Sequence, residues 1–224
     1  MERNFAQTYK ITSKEFWRNY WFYYKPHTLI AIAAAVIIGS SIHSCATRID
    51  PDLTLMYIGE NALYTSDEVN PEEALKAYAD DADGDGNISV SLVNLSLGGD
   101  DVQMQQAAMT KYDIEVAEGN PFVAMADEAA AVRYSEMGAF EYIDDMIAEY
   151  GVAEEKVLRD KEGRAIAVNV TGTAFGNIIG TGAERIVYAG IKILPERKMS
   201  NEKYMALHNE VVSFYRRLLG GEIQ

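Results

Sequence analysis

The chain has one cysteine, Cys45, in 224 residues. No disulfide can form within it, and beyond residue 47 there is no thiol for nucleophilic chemistry. Histidine is nearly as scarce: only His27, His43 and His208 occur, and only His208 lies in the main body. A His-rich zinc site is excluded there. No Gly-Lys-Ser/Thr phosphate loop and no GxGxxG dinucleotide fingerprint is present. Residues 176–182 carry three glycines without either pattern and read as a flexible loop or hairpin. Internal repeats and low-complexity tracts are also missing. Positive charge is short as well, with 20 Lys and Arg against 34 Asp and Glu, a net charge of −14. A surface this acidic repels phosphate backbones, so nucleic acid is not an expected partner.

The positive charge that exists is unevenly placed. Residues 1–27 hold Arg3, Lys10, Lys14, Arg18 and Lys25 against Glu2 and Glu15, a balance of +3 that leaves −17 for the rest. Residues 28–47 follow with no charge if His43 is neutral. Twenty helical residues span about 30 Å, the thickness of a bilayer's hydrocarbon core. Just before them, Phe16, Trp17, Tyr20, Trp21 and Tyr24 recur at helical spacing, and aromatic rings of this kind favour the headgroup region. Residues 13–25 therefore read as an interfacial helix leading into a single span. The cationic flank stays inside, which puts the N-terminus in the cytoplasm and the larger part outside the cell. Three readings compete: a buried core helix, a cleaved leader and a lipidated Cys45. The aromatic-basic preface weighs against the first. The long charged segment before the apolar run weighs against the second, and His43 close before the cysteine weighs against the third.

Residues 48–52 read as a linker. Residues 53–58, Leu-Thr-Leu-Met-Tyr-Ile, are near-continuously apolar, as a strand buried on both faces should be. Asn70-Pro71 starts a helix over 72–80, with Asn70 as cap. Residues 88–97 alternate as a strand. Asp100 or Asp101 caps a helix to about residue 117, closed by Gly119. Residues 121–126 are a short strand, and Asp127 caps the helix after it. Ala139, Phe140, Ile143, Met146, Ile147 and Tyr150 share one helical face, closed by Gly151. Residues 157–158, 165–170 and 186–194 read as later strands, some antiparallel. A last helix opens at Ser200 and buries Tyr204, Leu207, Val211, Phe214, Tyr215 and Leu218. The expected fold is α/β: an N-terminal transmembrane helix (28–47), after a cytoplasmic or interfacial segment (1–27), then a single open mixed-sheet α/β domain (48–224).

One stretch is motif-like. Residues 81–89, Asp-Ala-Asp-Gly-Asp-Gly-Asn-Ile-Ser, match the first half of a calcium loop. Asp81, Asp83, Asp85 and Asn87 supply alternate oxygens, Gly86 permits the sharp turn and Ile88 supplies the aliphatic position. Leu92 stands where the loop's closing acid belongs, and a strand follows rather than a helix. An acidic turn whose glycines supply positive φ is the competing reading, and any bound Ca2+ is expected to be weak and structural. Asp144 and Asp145 are adjacent acids on a helix face, and His208 reads as a boundary residue; neither marks a catalytic site. No other cofactor is expected.

Residues 122–127, Phe-Val-Ala-Met-Ala-Asp, a helix, then residues 137–144, Met-Gly-Ala-Phe-Glu-Tyr-Ile-Asp, resemble part of one lobe of type-2 extracellular solute-binding proteins. Residues 162–170 resemble the strand that follows. The helices around residues 105–108 and 204–219 fit as well. The preface at residues 14–24 and the Asp-rich loop resemble single-pass membrane-anchored proteins of clostridial (Firmicutes) bacteria. The resemblance implies a surface-anchored, non-enzymatic binding or accessory module, with the bilayer and a protein of the membrane or envelope as partners. The part beyond residue 47 has room for about one lobe, and no ligand residues carry over. A carboxylate-dependent extracytoplasmic hydrolase is the alternative.

Overall fold

The computed structural model describes residues 14–46, 51–64, 70–182 and 185–221. The chain divides into two compact units between Asp50 and Pro51.

In the first unit, helix α1 (Lys14–Ala46) runs unbroken for 33 residues with Pro26 inside it. Proline has no N–H for the helical ladder, so this turn needs other support. Thr28 Oγ1 donates to the Tyr24 carbonyl at 2.9 Å and lies 2.9 Å from the Tyr20 hydroxyl, and the Tyr20 and Tyr24 rings stack at 5.4 Å. Leu29, Ile30, Ile32, Val36, Ile37 and Ile38 are exposed. Among the described residues no helix is long and apolar enough to cross a membrane. The uncharged stretch with described side chains, 28–41, measures about 21 Å, short of a hydrocarbon core of about 30 Å. The span expected over 28–47 needs the side chains of 42–47, which lie outside the described residues, as do residues 48–50.

The second unit is α/β, as the alternation of its segments predicts. Strand β1 (Leu53–Gly59), helix α2 (Pro71–Leu75), strand β2 (Val90–Ser96), helix α3 (Val102–Glu118), strand β3 (Val123–Ala126) and helix α4 (Glu128–Glu136) form the first half. Helix α5 (Asp144–Tyr150), strands β4 (Val157–Arg159) and β5 (Ala165–Asn169), helix α6 (Ala174–Ile179), strand β6 (Tyr188–Ile191) and helices α7 (Glu196–Met199) and α8 (Glu202–Leu219) complete it. The six strands make one mixed sheet in the order β2-β1-β3-β6-β5-β4. β1 is parallel to both β2 and β3, whereas β6 is antiparallel to β3 and β5, and β4 is antiparallel to β5.

The connections explain the layers. β2 and β3 flank β1 on opposite sides, so two crossovers of the same hand place α2 and α3 on opposite faces of the sheet. β1 is therefore buried on both faces. Leu53, Leu55 and Tyr57 pack with Leu75, Phe175, Val211, Phe214 and Tyr215 on one side. Met56 and Ile58 pack with Tyr112, Phe122, Ala131 and Tyr134 on the other. α8 is tied to the sheet by the Tyr215 hydroxyl, which donates to the Ala189 carbonyl at 2.9 Å.

The caps follow the sequence closely. Asn70 Oδ1 accepts from Glu72 N and Glu73 N, Asp101 from Gln103 N and Met104 N, and Asp127 from Ala130 N. Gly119 closes α3 at φ +72°. Four expectations need correction. The helix expected over 72–80 stops at Leu75 and tightens into a 3-10 turn over Lys76–Tyr78, where Arg217 takes the Tyr78 carbonyl. Ala139 and Phe140 are not on α5: the chain reverses at Gly138, and Phe140 bridges Lys192 beside the sheet. Tertiary pairing outweighs helical periodicity there. Residues 176–182 are not a flexible loop, because Thr173 caps α6 through Gly176 N at 3.0 Å. A Cβ on Gly176 would sit 2.2 Å from the Val170 carbonyl, so this glycine serves close packing. Finally, the last helix opens at Asn201 rather than Ser200, with the short α7 before it.

Candidate functional site

In open α/β sheets the default ligand edge is the carboxyl end of the parallel strands. Here that edge carries Gly59-Glu60, Leu97-Gly98 and Asp127. Gly98 is pressed onto β1's exit, where a Cβ would lie 2.1 Å from the Glu60 carbonyl. The helix N-termini that open there are already occupied. Asp101 caps α3, and Asp127 caps α4 while its other oxygen accepts Glu60 N at 2.7 Å. These carboxylates take the amides that would otherwise draw an anionic ligand. The Arg185 guanidinium donates to the carbonyls of Asn61 and Ala62. The Tyr57 hydroxyl donates to the Asn61 carbonyl at 2.9 Å, and burial, then the charge of Asp127, push it up to about 12. The groups at this edge thus hold one another. A cavity of about 20 Å³ beside Val168, Val170 and Leu218 has room for little more than one water.

The amino end of the same strands is organised around Asp52, which is 2% exposed. Its Oδ1 accepts from Ala82 N at 2.9 Å and Asp83 N at 3.3 Å; its Oδ2 accepts from Ser89 N at 2.8 Å and Ser89 Oγ at 3.1 Å. The acidic loop 81–87 is therefore coiled over a buried carboxylate that sequence reasoning placed in a linker. Asp81 stabilises the coil from within, with Oδ1 accepting from Gly84 N and Asp85 N, and Oδ2 from Gly86 N. Asp83 Oδ1 accepts from Asp85 N, and Asp85 Oδ1 from Asn87 N. Gly84 and Gly86 have φ of +76° and +86°, which the coil requires.

One carboxylate oxygen from each of Asp52, Asp81 and Asp83 lies within 4.8 Å of the others, a spacing that can hold a hard cation. Of the four expected ligands, Asp81 and Asp83 are brought together. Asp85 is not part of that group, and of Asn87 the structure shows its backbone amide donating to Asp85 Oδ1. The acid missing at Leu92 has a counterpart in Asp52, supplied from the start of β1. Asp52 was legible only as an isolated acid before an apolar strand.

Other acids have structural duties. Asp144 accepts from Ala165 N and pairs with Arg159 at 3.0 Å, while Arg159 also grips Glu154. His208 sits at the boundary of the core, as its sequence reads: its side chain is 13% exposed, its Nε2 lies 3.2 Å from Glu141, and its buried Nδ1 has no hydrogen-bond partner among the described residues. Beside that pair, Lys192 is buried and donates from Nζ to the Ile193 carbonyl at 2.6 Å. Burial lowers the Lys192 ammonium to about 8 against the opposing pull of Glu141, and burial raises Glu141 against the pull of His208.

Comparison with protein-family models, with curated proteins and with solved structures finds no match to this chain.

Proposed function

We propose that the chain is a membrane-anchored, extracytoplasmic binding or accessory module without catalytic activity of its own. The observation that carries this reading is α1, with apolar side chains exposed from Leu29 to Ile38 behind the exposed aromatics Trp17, Trp21, Phe22 and Tyr24. A helix that is apolar all round and unburied needs lipid or protein around it. The sequence continues uncharged to Thr47, which brings the stretch to the length of a span. The one-sheet size of residues 51–221 supports the single-lobe resemblance to solute-binding proteins. The partner is proposed to be a protein of the membrane or envelope. Calcium, if the loop takes it, has a structural role in ordering residues 81–89.

Fractionation tests the reading. The full-length chain should pellet with membranes, resist alkaline carbonate and need detergent for release. Protease added outside intact cells should remove the larger unit and spare a fragment containing α1. Recovery in the soluble fraction without detergent would overturn it. Cross-linking before detergent extraction then reports the partner.

A further inference from the structure

Where α3 ends, an amine, a primary amide and a carboxylate meet in a cluster that neither the anchor nor the acidic loop uses. Asn120 lies between α3 and β3, and Lys198 lies 78 residues further on, in α7. Lys198 Nζ is 2.9 Å from Asn120 Oδ1, and it sits 3.8 Å from the centre of the Tyr204 ring. On the far side of the same amide, Asn120 Nδ2 donates to Glu115 Oε2 at 3.0 Å and to Glu118 Oε2 at 3.3 Å. Asn120, Lys198 and Glu115 are all half-buried. The backbone around them is held as well. Gly119 is pressed onto Pro195, where a Cβ would lie 2.4 Å from the proline ring, and Arg197 donates to the Ala117 carbonyl at 2.7 Å. Reacting groups fixed at such distances meet far more often than free ones. The competing reaction of an asparagine amide, attack by the next residue's backbone N–H, is closed here, because that residue is Pro121 and has none.

We propose that Lys198 and Asn120 join in an intramolecular isopeptide bond, with Glu115 as the proton carrier. Lys198 Nζ, as the free amine, attacks Asn120 Cγ; a C–N bond forms there and the Cγ–Nδ2 bond breaks. In the tetrahedral adduct both nitrogens sit on one carbon, so Glu115 takes a proton from Nζ and returns it to Nδ2, which leaves as ammonia. One ammonia is released, and no oxidant or other reactant is needed. The bond ties α7 to the end of α3 across 78 residues, in a unit whose sequence has no cysteine for a disulfide.

Intact-mass measurement on the full-length chain in detergent tests this, as purified and after prolonged incubation at about pH 9, where more of a lysine is free base. The chain should be lighter than its sequence by one ammonia. Trypsin should leave Lys198 uncut, in a branched peptide joined to the one that holds Asn120. Lys198→Arg keeps the charge and should keep the full mass. Glu115→Gln should slow the loss at least about tenfold. A wild-type chain still at full mass after the incubation would overturn the proposal, as would a loss of ammonia that persists in Lys198→Arg.

Discussion

Asp52 and Ser89 bond to each other in both directions: Asp52 N donates to the Ser89 carbonyl at 3.0 Å, and Ser89 N donates to Asp52 Oδ2 at 2.8 Å. The pair locks the starts of β1 and β2 in register, with Leu53 opposite Val90. Asp52→Ala removes a buried acceptor from Ala82 N, Asp83 N and Ser89 together and should cost about 3 kcal/mol. Asp52→Asn keeps one acceptor oxygen but turns an amide toward the donors, and should fall between. Both tryptophans lie in α1, so the tyrosine near-UV signal of the second unit is the readout in urea titrations. A loss within experimental error would show that the loop does not depend on this carboxylate.

Glu210 is buried on α8, where its Oε1 accepts the backbone N–H of Asp80 at 2.8 Å. Its folded-state proton affinity is raised from 4.5 to about 7. Between those values the folded chain holds a proton that the unfolded chain has released. Its contribution to stability is full below about pH 4.5 and is lost as pH rises through about 7. Glu210→Gln should therefore gain on the wild type by roughly 2 kcal/mol at pH 8 and be no more stable at pH 4.5. The quantity to plot is the difference in unfolding free energy between the two proteins against pH, because it cancels the other acids. A flat difference would rule out the shift.

Much of this was open to sequence reading. The caps at Asn70, Asp101 and Asp127, the αL closure at Gly119 and the doubly buried β1 are local matters, set by side-chain chemistry within a few residues. What was not legible came from contacts between distant segments. Asp52 looks like linker because its partners are thirty or more positions away. Phe140 has helical spacing with Ile143 and Ile147 but is claimed by Lys192. Gly176 resembles part of a phosphate loop, and only the Val170 carbonyl pressed against it reveals the packing reason. His208 reads correctly as a boundary residue, but its partner Glu141 is too far away in the chain to be foreseen.

Buried Lys192 lies in the field of Glu141, a part-buried carboxylate that sits 3.2 Å from His208. Glu141 supplies the charge that favours the buried ammonium of Lys192, while Arg197 and Lys198 oppose it. Glu141→Gln should cost about 1 kcal/mol at pH 7. Lys192→Met should cost less, since Met fills the same space and His208 remains beside Glu141. The double variant should be closer to wild type than the sum of the two losses, as a double-mutant cycle would reveal. Additive losses would mean that the two charges do not interact.

The acidic loop has a test of its own. A weak structural site of this kind works at about 0.1–1 mM calcium. About 10 mM calcium should therefore raise the unfolding midpoint of the second unit by about 2 °C or more. Asp83→Asn should remove that rise, whereas Asp85→Asn should leave most of it, since Asp85 is outside the group of three. If the wild-type midpoint does not move with calcium, the oxygens of Asp52, Asp81 and Asp83 serve the backbone alone.

The placement of α1 makes its own probe. Trp17 and Trp21 are the chain's only tryptophans, and they precede the uncharged stretch by about three and two helical turns. Indole emission from the full-length protein in vesicles therefore reports one location. An interfacial preface predicts blue-shifted emission that lipids brominated near the headgroup quench strongly. Lipids brominated near the chain ends should quench it weakly, because the amphipathic ring stays at the polar boundary. Replacing Lys14, Arg18 and Lys25 with glutamine removes the cations that favour the cytoplasmic side, and should leave a fraction of chains inserted in the opposite orientation. Emission at the wavelength of water-exposed indole, insensitive to either lipid, would mean that this helix does not lie in a membrane at all.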